Sequence, residues 1–356
     1  MKVAVRADAS PDIGSGHVMR SLCLADALKA RGAAVRFLCR DLPAHLGELV
    51  GGHGHELAAL PSRSMAPRPT ESAWPDDLRT QDLQDVGAAL QDWAGCDWLV
   101  VDHYAASSGW EEGARRHARR LMAIDDLGRT HDCNLLLDAN LYLDGTSPYA
   151  GRLPPACRVL LGPAYALLRP EFLSARAAAV VRDGPAQRLL VFMGGMDASN
   201  ATGLVLAALQ CIGQARRPAA MDVVIGQGHP ARRDITAACL ALGAVLHVQT
   251  TEMAGLCAAA DLAIGAGGSA TWERCAVGLP TLALCLADNQ RAILHNGSRA
   301  GLLYWPDKPV ADAALLAIHL QALLGNSGLR NHLSRNAMAA VDGLGAQKTA
   351  DILFQA

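Results

Sequence analysis

Short apolar runs alternate with longer amphipathic segments along most of the chain. Residues 3–6, 35–39, 98–101, 121–124 and 135–138 are too short for helices and have turn residues on at least one side, so they are predicted as buried strands. Between the first two lies SGHVMRSLCLADALKARG, in which Met19, Leu22, Cys23, Ala27 and Leu28 recur at helical spacing and Gly32 supplies a stop. Strand, helix, strand at this spacing is a βαβ unit, which predicts a parallel sheet. The rhythm restarts at Leu189, with strands predicted at 189–192, 221–225, 245–247, 262–264 and 281–284.

Two α/β blocks in series follow from this pattern. The join is placed near 163–187, where Pro163, Pro170 and Pro185 punctuate the chain and a helical stretch at 173–181 can bridge. The expected domains are 1–172, carrying the first block, and 173–356, carrying the second. The last helices, from about Val310, are candidates for packing back on the first domain. Residues 62–80, rich in Pro, Ser and charge, are expected to form a surface loop beside the site.

Composition narrows the function classes. Of 356 residues, 51% are hydrophobic and only 4% aromatic, so the cores should be aliphatic. The net charge of −2, with no long run of one sign, provides no footprint for nucleic acid or an anionic membrane. The opening MKVAVRADAS has no apolar core of a signal peptide, and no stretch of about 20 apolar residues suggests a membrane span. Ten cysteines without a C-x-x-C pair read as reduced thiols in a cytoplasmic protein, with no structural metal cluster. His53 and His55 sit in a Gly-rich turn and lack a nearby third ligand, so they read as a polar loop. A monomer is expected, since no helix carries an exposed apolar stripe.

Ligands of open parallel sheets bind beyond the carboxyl ends of the strands. Four groups of residues fall there. In RADASPDIGSGHVMR, Gly14 and Gly16 allow a tight turn, and His17 opens the helix. The positive helix end favours an anion and a neutral imidazole, which suits a general base, and Asp8 or Asp12 is a candidate to orient the ring. The same residues also fit a plain helix start. In VFMGGMDASN, Gly194 and Gly195 make a second anion-accepting turn, and Asp197, Ser199 and Asn200 would equally serve as N-caps. In AIGAGGSATWERC, Gly267, Gly268 and Ser269 form the best diphosphate cradle, with Glu273 placed to accept hydrogen bonds from a ribose diol. In LCLADNQ, Asn289 and Gln290 suit sugar hydroxyl or acetamido groups, and would equally serve as N-caps. No D-x-D pair is present to hold a metal against a diphosphate, so the charge is expected to be met by helix N-termini and Arg169.

The combination RADAS…IGSGHVMR, VVDHY, AIDDL, LLGPAYALLRPEF, VFMGGMD, IGAGGSATWERC and LADNQ spans nearly the whole chain. It resembles the UDP-2,4-diacetamido-2,4,6-trideoxy-β-L-altropyranose hydrolases of pseudaminic acid synthesis. These are relatives of the peptidoglycan N-acetylglucosaminyltransferase. The resemblance implies a glycosyltransferase-B fold, two Rossmann-like domains facing across a cleft. It implies cleavage of the anomeric bond of a UDP-sugar by water, with no metal and no cofactor. His17 matches the family's catalytic histidine, Gly267, Gly268 and Glu273 its UDP loop, and Asn289 and Gln290 its amide pair near the sugar. Tyr104 and Arg169 match further family positions. His17 taking a proton from water that attacks opposite the diphosphate would invert configuration. A glycosyltransferase of the same fold, or a non-catalytic nucleotide-sugar binder, are the other readings.

Overall fold

The strand pattern becomes two separate parallel sheets in the computed structural model, which describes residues 1–10, 13–62, 73–143, 145, 147–307, 310 and 312–356. The first unit comprises Met1–Leu167 together with Leu344–Ala356, and the second comprises Leu168–Gly343.

In the first unit the strands are β1 (Lys2–Ala7), β2 (Ala34–Cys39), β3 (Glu56–Ala59), β4 (Cys96–Asp102), β5 (Ala118–Ile124), β6 (Leu135–Asp138) and β7 (Arg158–Leu161), in the order β3-β2-β1-β4-β5-β6-β7. All pair in parallel. Such a sheet is covered on both faces, which explains the continuous apolar runs. Val3, Val5, Trp98 and Val100 point into one core, while their neighbours Ala4, Leu99 and Val101 point into the other. The chain order reverses between β1 and β4, and the crevice beyond their carboxyl ends is the preferred ligand position of an open sheet.

The second unit holds β8 (Arg188–Phe192), β9 (Ala220–Ile225), β10 (Val245–Val248), β11 (Leu262–Ala266) and β12 (Thr281–Leu284), in the order β10-β9-β8-β11-β12, again all parallel. Its reversal lies between β8 and β11. Among the described residues, no helix is long and apolar enough to cross a membrane.

Several boundaries differ from the sequence reading. The units divide at 167/168 rather than 172/173, because the helix Pro170–Ala177 is tied to the second unit: Arg176 donates to the carbonyls of Ala276 (2.7 Å) and Met338 (2.8 Å). Pro170 starts that helix earlier than 173, since its missing N–H costs nothing in the first turn. Only the last helix, Gly345–Gln355, joins the first unit. Ala350 and Leu353 enter its core, and Trp98 donates its indole N–H to Leu353 O at 3.0 Å. The helices Ala313–Gly325 and Ser327–Ala340 instead cover the second core through Leu316, Leu320 and Leu333. Of the predicted loop 62–80, residues 63–72 lie outside the described residues. Trp74 is buried against His103, and a helix begins at Asp76.

Candidate functional site

The turn after β1 brings the chain into the helix Gly16–Lys29. Gly14 has φ +78°, a conformation that favours glycine, and its N–H closes the turn on Ser10 O at 2.8 Å. Gly16 is the first helical residue and has no such requirement.

His17, buried in the first helical turn, lies against the end of β4. Its Nδ1 is 2.6 Å from Oδ1 of Asp102, the last residue of that strand. A carboxylate only accepts, so Nδ1 carries a proton, and in the neutral ring Nε2 then presents its lone pair. Among the described residues, Nε2 makes no hydrogen bond. Arg20, one turn along the same helix, forks onto Asp102 with Nε to Oδ2 and Nη2 to Oδ1, both at 2.6 Å. The hydroxyl of Ser21 adds a bond at 3.3 Å. Burial alone would raise the Asp102 pKa, but the Arg20 guanidinium and then His17 outweigh it and hold the carboxyl well below the usual range. Tyr104 packs edge-on against the His17 ring, 4.6 Å between centroids, and donates its hydroxyl to Asp126 Oδ2 at 3.1 Å. Arg20 Nη1 reaches the same oxygen at 3.2 Å.

The acid that holds His17 at Nδ1 is therefore Asp102, which the sequence reading did not single out. Asp12 lies outside the described residues. Asp8 is committed elsewhere: it accepts from Arg6 Nη1 (2.7 Å) and the Arg40 N–H (2.7 Å), and it meets His103 Nε2 at 3.2 Å. The Ala105 N–H donates to His103 Nδ1 at 3.0 Å, so the His103 proton sits on Nε2. Burial, partly offset by Asp8, lowers the His103 pKa and keeps that ring neutral. Asp102 and Arg20 were missed although VVDHY and HVMR were both in view. The spacing of three between His17 and Arg20, and the place of Asp102 at a strand end, were the available signals.

In the second unit, the turn after β8 contains Gly194 at φ +95° and Gly195. Asp197 is a cap: its carboxylate accepts from the N–H groups of Ala201 and Thr202, both at 2.8 Å, and His229 Nε2 lies 3.1 Å away. Asn200 adds a second cap, on Gly203 N. Gly226, just after β9, is a residue the motifs did not reveal. A Cβ there would fall 1.9 Å from Gly195 O, a backbone atom that cannot swing aside. Gly226→Ala is expected to push the Gly194-Gly195 turn out of place and lower stability by about 1–3 kcal/mol. Thermal unfolding measures it, and an unchanged midpoint would show that the turn has room.

After β11, Gly267 packs under Leu294, where a Cβ would come within 2.6 Å, while Gly268 is open. The helix Ala270–Ala276 follows, and Ser269 makes no side-chain cap bond there. Beneath this turn lies Arg274, fully buried, donating Nη2 to Ala266 O (2.8 Å) and to the Thr271 hydroxyl (3.2 Å). Burial lowers its pKa, yet it remains a cation under the glycine turn that sequence reasoning did not pick out. Glu273 is paired with Arg169, Nε to Oε1 at 3.0 Å, and Arg169 also reaches Glu171 at 3.1 Å. Gln290 Oε1 accepts from the Leu286 N–H at 2.9 Å, and Asn289 is half-buried beside it in the turn before the helix Arg291–Arg299. His53 and His55 both bond to Asp26, each at 2.8 Å, so the polar loop is anchored by a carboxylate.

The structure thus gathers His17 and Tyr104 in the first unit, with Gly14 and Gly16 forming the turn that leads into the His17 helix. It gathers Arg169 with Glu273 in the second unit, at the helix that follows the Gly267-Gly268 turn. The nucleophile-activating chemistry available is that of an imidazole held at Nδ1 by Asp102 with Nε2 open.

No family model matches the chain. It is 28% identical over 201 residues to the UDP-2,4-diacetamido-2,4,6-trideoxy-β-L-altropyranose hydrolase of Campylobacter jejuni, which is 56% of this chain and 62% of that protein. It is 28% identical over 199 residues to a spore coat polysaccharide biosynthesis protein of Bacillus subtilis, covering 55% and 58%. The matched regions therefore span less than two thirds of either relative. Among solved structures, MurG from Acinetobacter baumannii superposes with TM-score 0.68 at 15% identity, over 100% of this chain and 99% of that one. A UDP-GlcNAc 2-epimerase from Neisseria meningitidis, bound to UDP-GlcNAc, gives 0.66 at 12% identity over 100% of both chains. The fold is that of the glycosyltransferase-B enzymes.

Proposed function

We propose that this chain is an enzyme of UDP-sugars and that it hydrolyses a UDP-linked 2,4-diacetamido-2,4,6-trideoxy sugar to the free sugar and UDP. The observation that carries the reading is the His17–Asp102 pair, which fixes the imidazole through Nδ1 and leaves Nε2 as a base. The relative from Campylobacter, named as a hydrolase of such a sugar, supports the substrate class.

In this reading His17 Nε2 takes a proton from water as the water attacks the anomeric carbon on the face opposite the diphosphate. The new C–O bond forms as the bond to UDP breaks, and configuration inverts. UDP leaves as a stable anion and needs no strong acid. The second unit holds the nucleotide: Gly267, Gly268 and Ser269 offer N–H groups to the diphosphate, Arg274 adds positive charge beneath them, and Glu273 accepts from the ribose diol. Gly194 and Gly195 offer a second N–H turn, and Arg169 exchanges Glu273 for phosphate oxygens. In the second unit Asn289 and Gln290 offer amide groups to the sugar; in the first, Gly14 and Gly16 set the turn that leads to His17, on whose ring Tyr104 packs. No metal is required, because helix ends and guanidinium groups meet the charge.

The test is incubation of the purified chain with the UDP-sugar in EDTA and no acceptor. Stoichiometric UDP release, with the inverted anomer seen first by NMR, is the expected result. Release only after an acceptor is added would establish a glycosyltransferase, and tight binding without turnover would establish a binder.

A further inference from the structure

We propose that Arg20 is a positioning residue that sets the pH range over which His17 acts as a base, with Asp126 as its counterweight. The proposal rests on the assignment of His17 as that base.

A carboxylate 2.6 Å from an imidazole orients it but also favours its protonation, which would silence a base near neutral pH. The structure sets a cation against that tendency. Arg20 engages both oxygens of Asp102, and the oxygen that meets His17 is the one that also accepts from Arg20 Nη2. That same Nη2 stands 3.2 Å from His17 Nδ1. Both nitrogens already point hydrogens at Asp102, so their approach is a contact of like groups, and it works against an imidazolium. Asp102 thus keeps its aim on the ring while much of its charge is spent on the guanidinium.

Asp126 acts in the other direction. It draws Arg20 Nη1 at 3.2 Å from the far side and fixes Tyr104, whose ring edge closes on His17. The remaining charged groups nearby are already balanced. His103 is neutral by its hydrogen bonds, and Asp8 is paired with Arg6. The groups that bias His17 are therefore Asp102 at the end of β4, Arg20 on its own helix, and Asp126 after β5.

The charges predict shifts of opposite sign. Arg20→Gln removes the cation, so the acidic limb of the kcat/KM profile moves to higher pH, by about one unit. Asp126→Asn leaves Arg20 less compensated, so the limb moves to lower pH. Arg20→Lys keeps the charge without the fork, and it should lose kcat while holding the limb within a few tenths of a unit of wild type. A purely structural Arg20 would lower kcat in both Arg20 variants and leave the limb in place in all three, and that result overturns the proposal. NMR titration of the His17 ring in the substrate-free protein reads the same shifts without turnover. Where Arg20→Gln does not fold, Asp126→Asn and Arg20→Lys decide, since a fixed midpoint in Asp126→Asn is equally fatal. Failure of the base assignment looks different: His17→Asn would retain turnover.

Discussion

Replacing His17 with asparagine is expected to lower kcat by about 10²–10⁴-fold, the usual worth of a positioned general base. Asparagine is close in size and can still reach Asp102, so the first unit should fold and only the basic nitrogen is lost. UDP affinity should change little, because the residues assigned to the nucleotide belong to the second unit. Asp102→Asn should fall in the same range for a different reason. The amide would offer a hydrogen to Nδ1 or fail to accept one, and either outcome favours the tautomer whose Nε2 carries the proton. Steady-state kinetics with calorimetric UDP binding separates the terms. Full activity in His17→Asn, or a loss confined to UDP affinity, would remove the imidazole from the chemistry.

The largest stability effect is expected at Arg6. This fully buried guanidinium binds Asp8 at 2.7 Å and Asp82 at 2.9 and 3.2 Å, and it lies 5.4 Å from the Trp74 ring centre. Burial works against its charge, but the two carboxylates outweigh burial and raise its pKa. Arg6→Met would fill most of the volume yet leave two buried carboxylates short of a partner. Removing one member of such a cluster typically costs about 3–5 kcal/mol, a large share of the roughly 5–15 kcal/mol that holds a domain together. Arg40 also reaches Asp82 at 2.7 Å, and His103 reaches Asp8, so some compensation remains. Urea unfolding of the variant measures the loss, and a change below about 1 kcal/mol would mean that Arg40 and His103 suffice.

The ten strands read from the sequence are all present, within a few residues at their ends. They were legible because strands buried on both faces leave continuous apolar runs. The two that escaped, β3 and β7, are edge strands with half or more of their residues exposed or only partly covered, so no such run marks them. The candidate site was legible where a motif is local, as with the glycine turn that leads into the His17 helix. It was not legible where chemistry depends on strand order. Asp102 meets His17 only because β4 inserts beside β1, and no spacing along the chain encodes that neighbour. Asp8, nearer in sequence and one of the two candidates, is instead bound by Arg6 Nη1 and the Arg40 N–H. Gly226 was hidden for the same reason: its constraint comes from Gly195 on the neighbouring strand's turn.

The helix Gly345–Gln355 seals the core of a unit whose other residues precede the whole second unit. During synthesis the first unit must then wait, at about 5–20 residues per second, for roughly ten to thirty-five seconds while residues 168–343 emerge. Throughout that interval Trp98, Val3 and their neighbours lack Ala350 and Leu353. The nascent chain therefore exposes an apolar groove that fits its own later segment, and any chaperone that shields it must release before the last helix can dock.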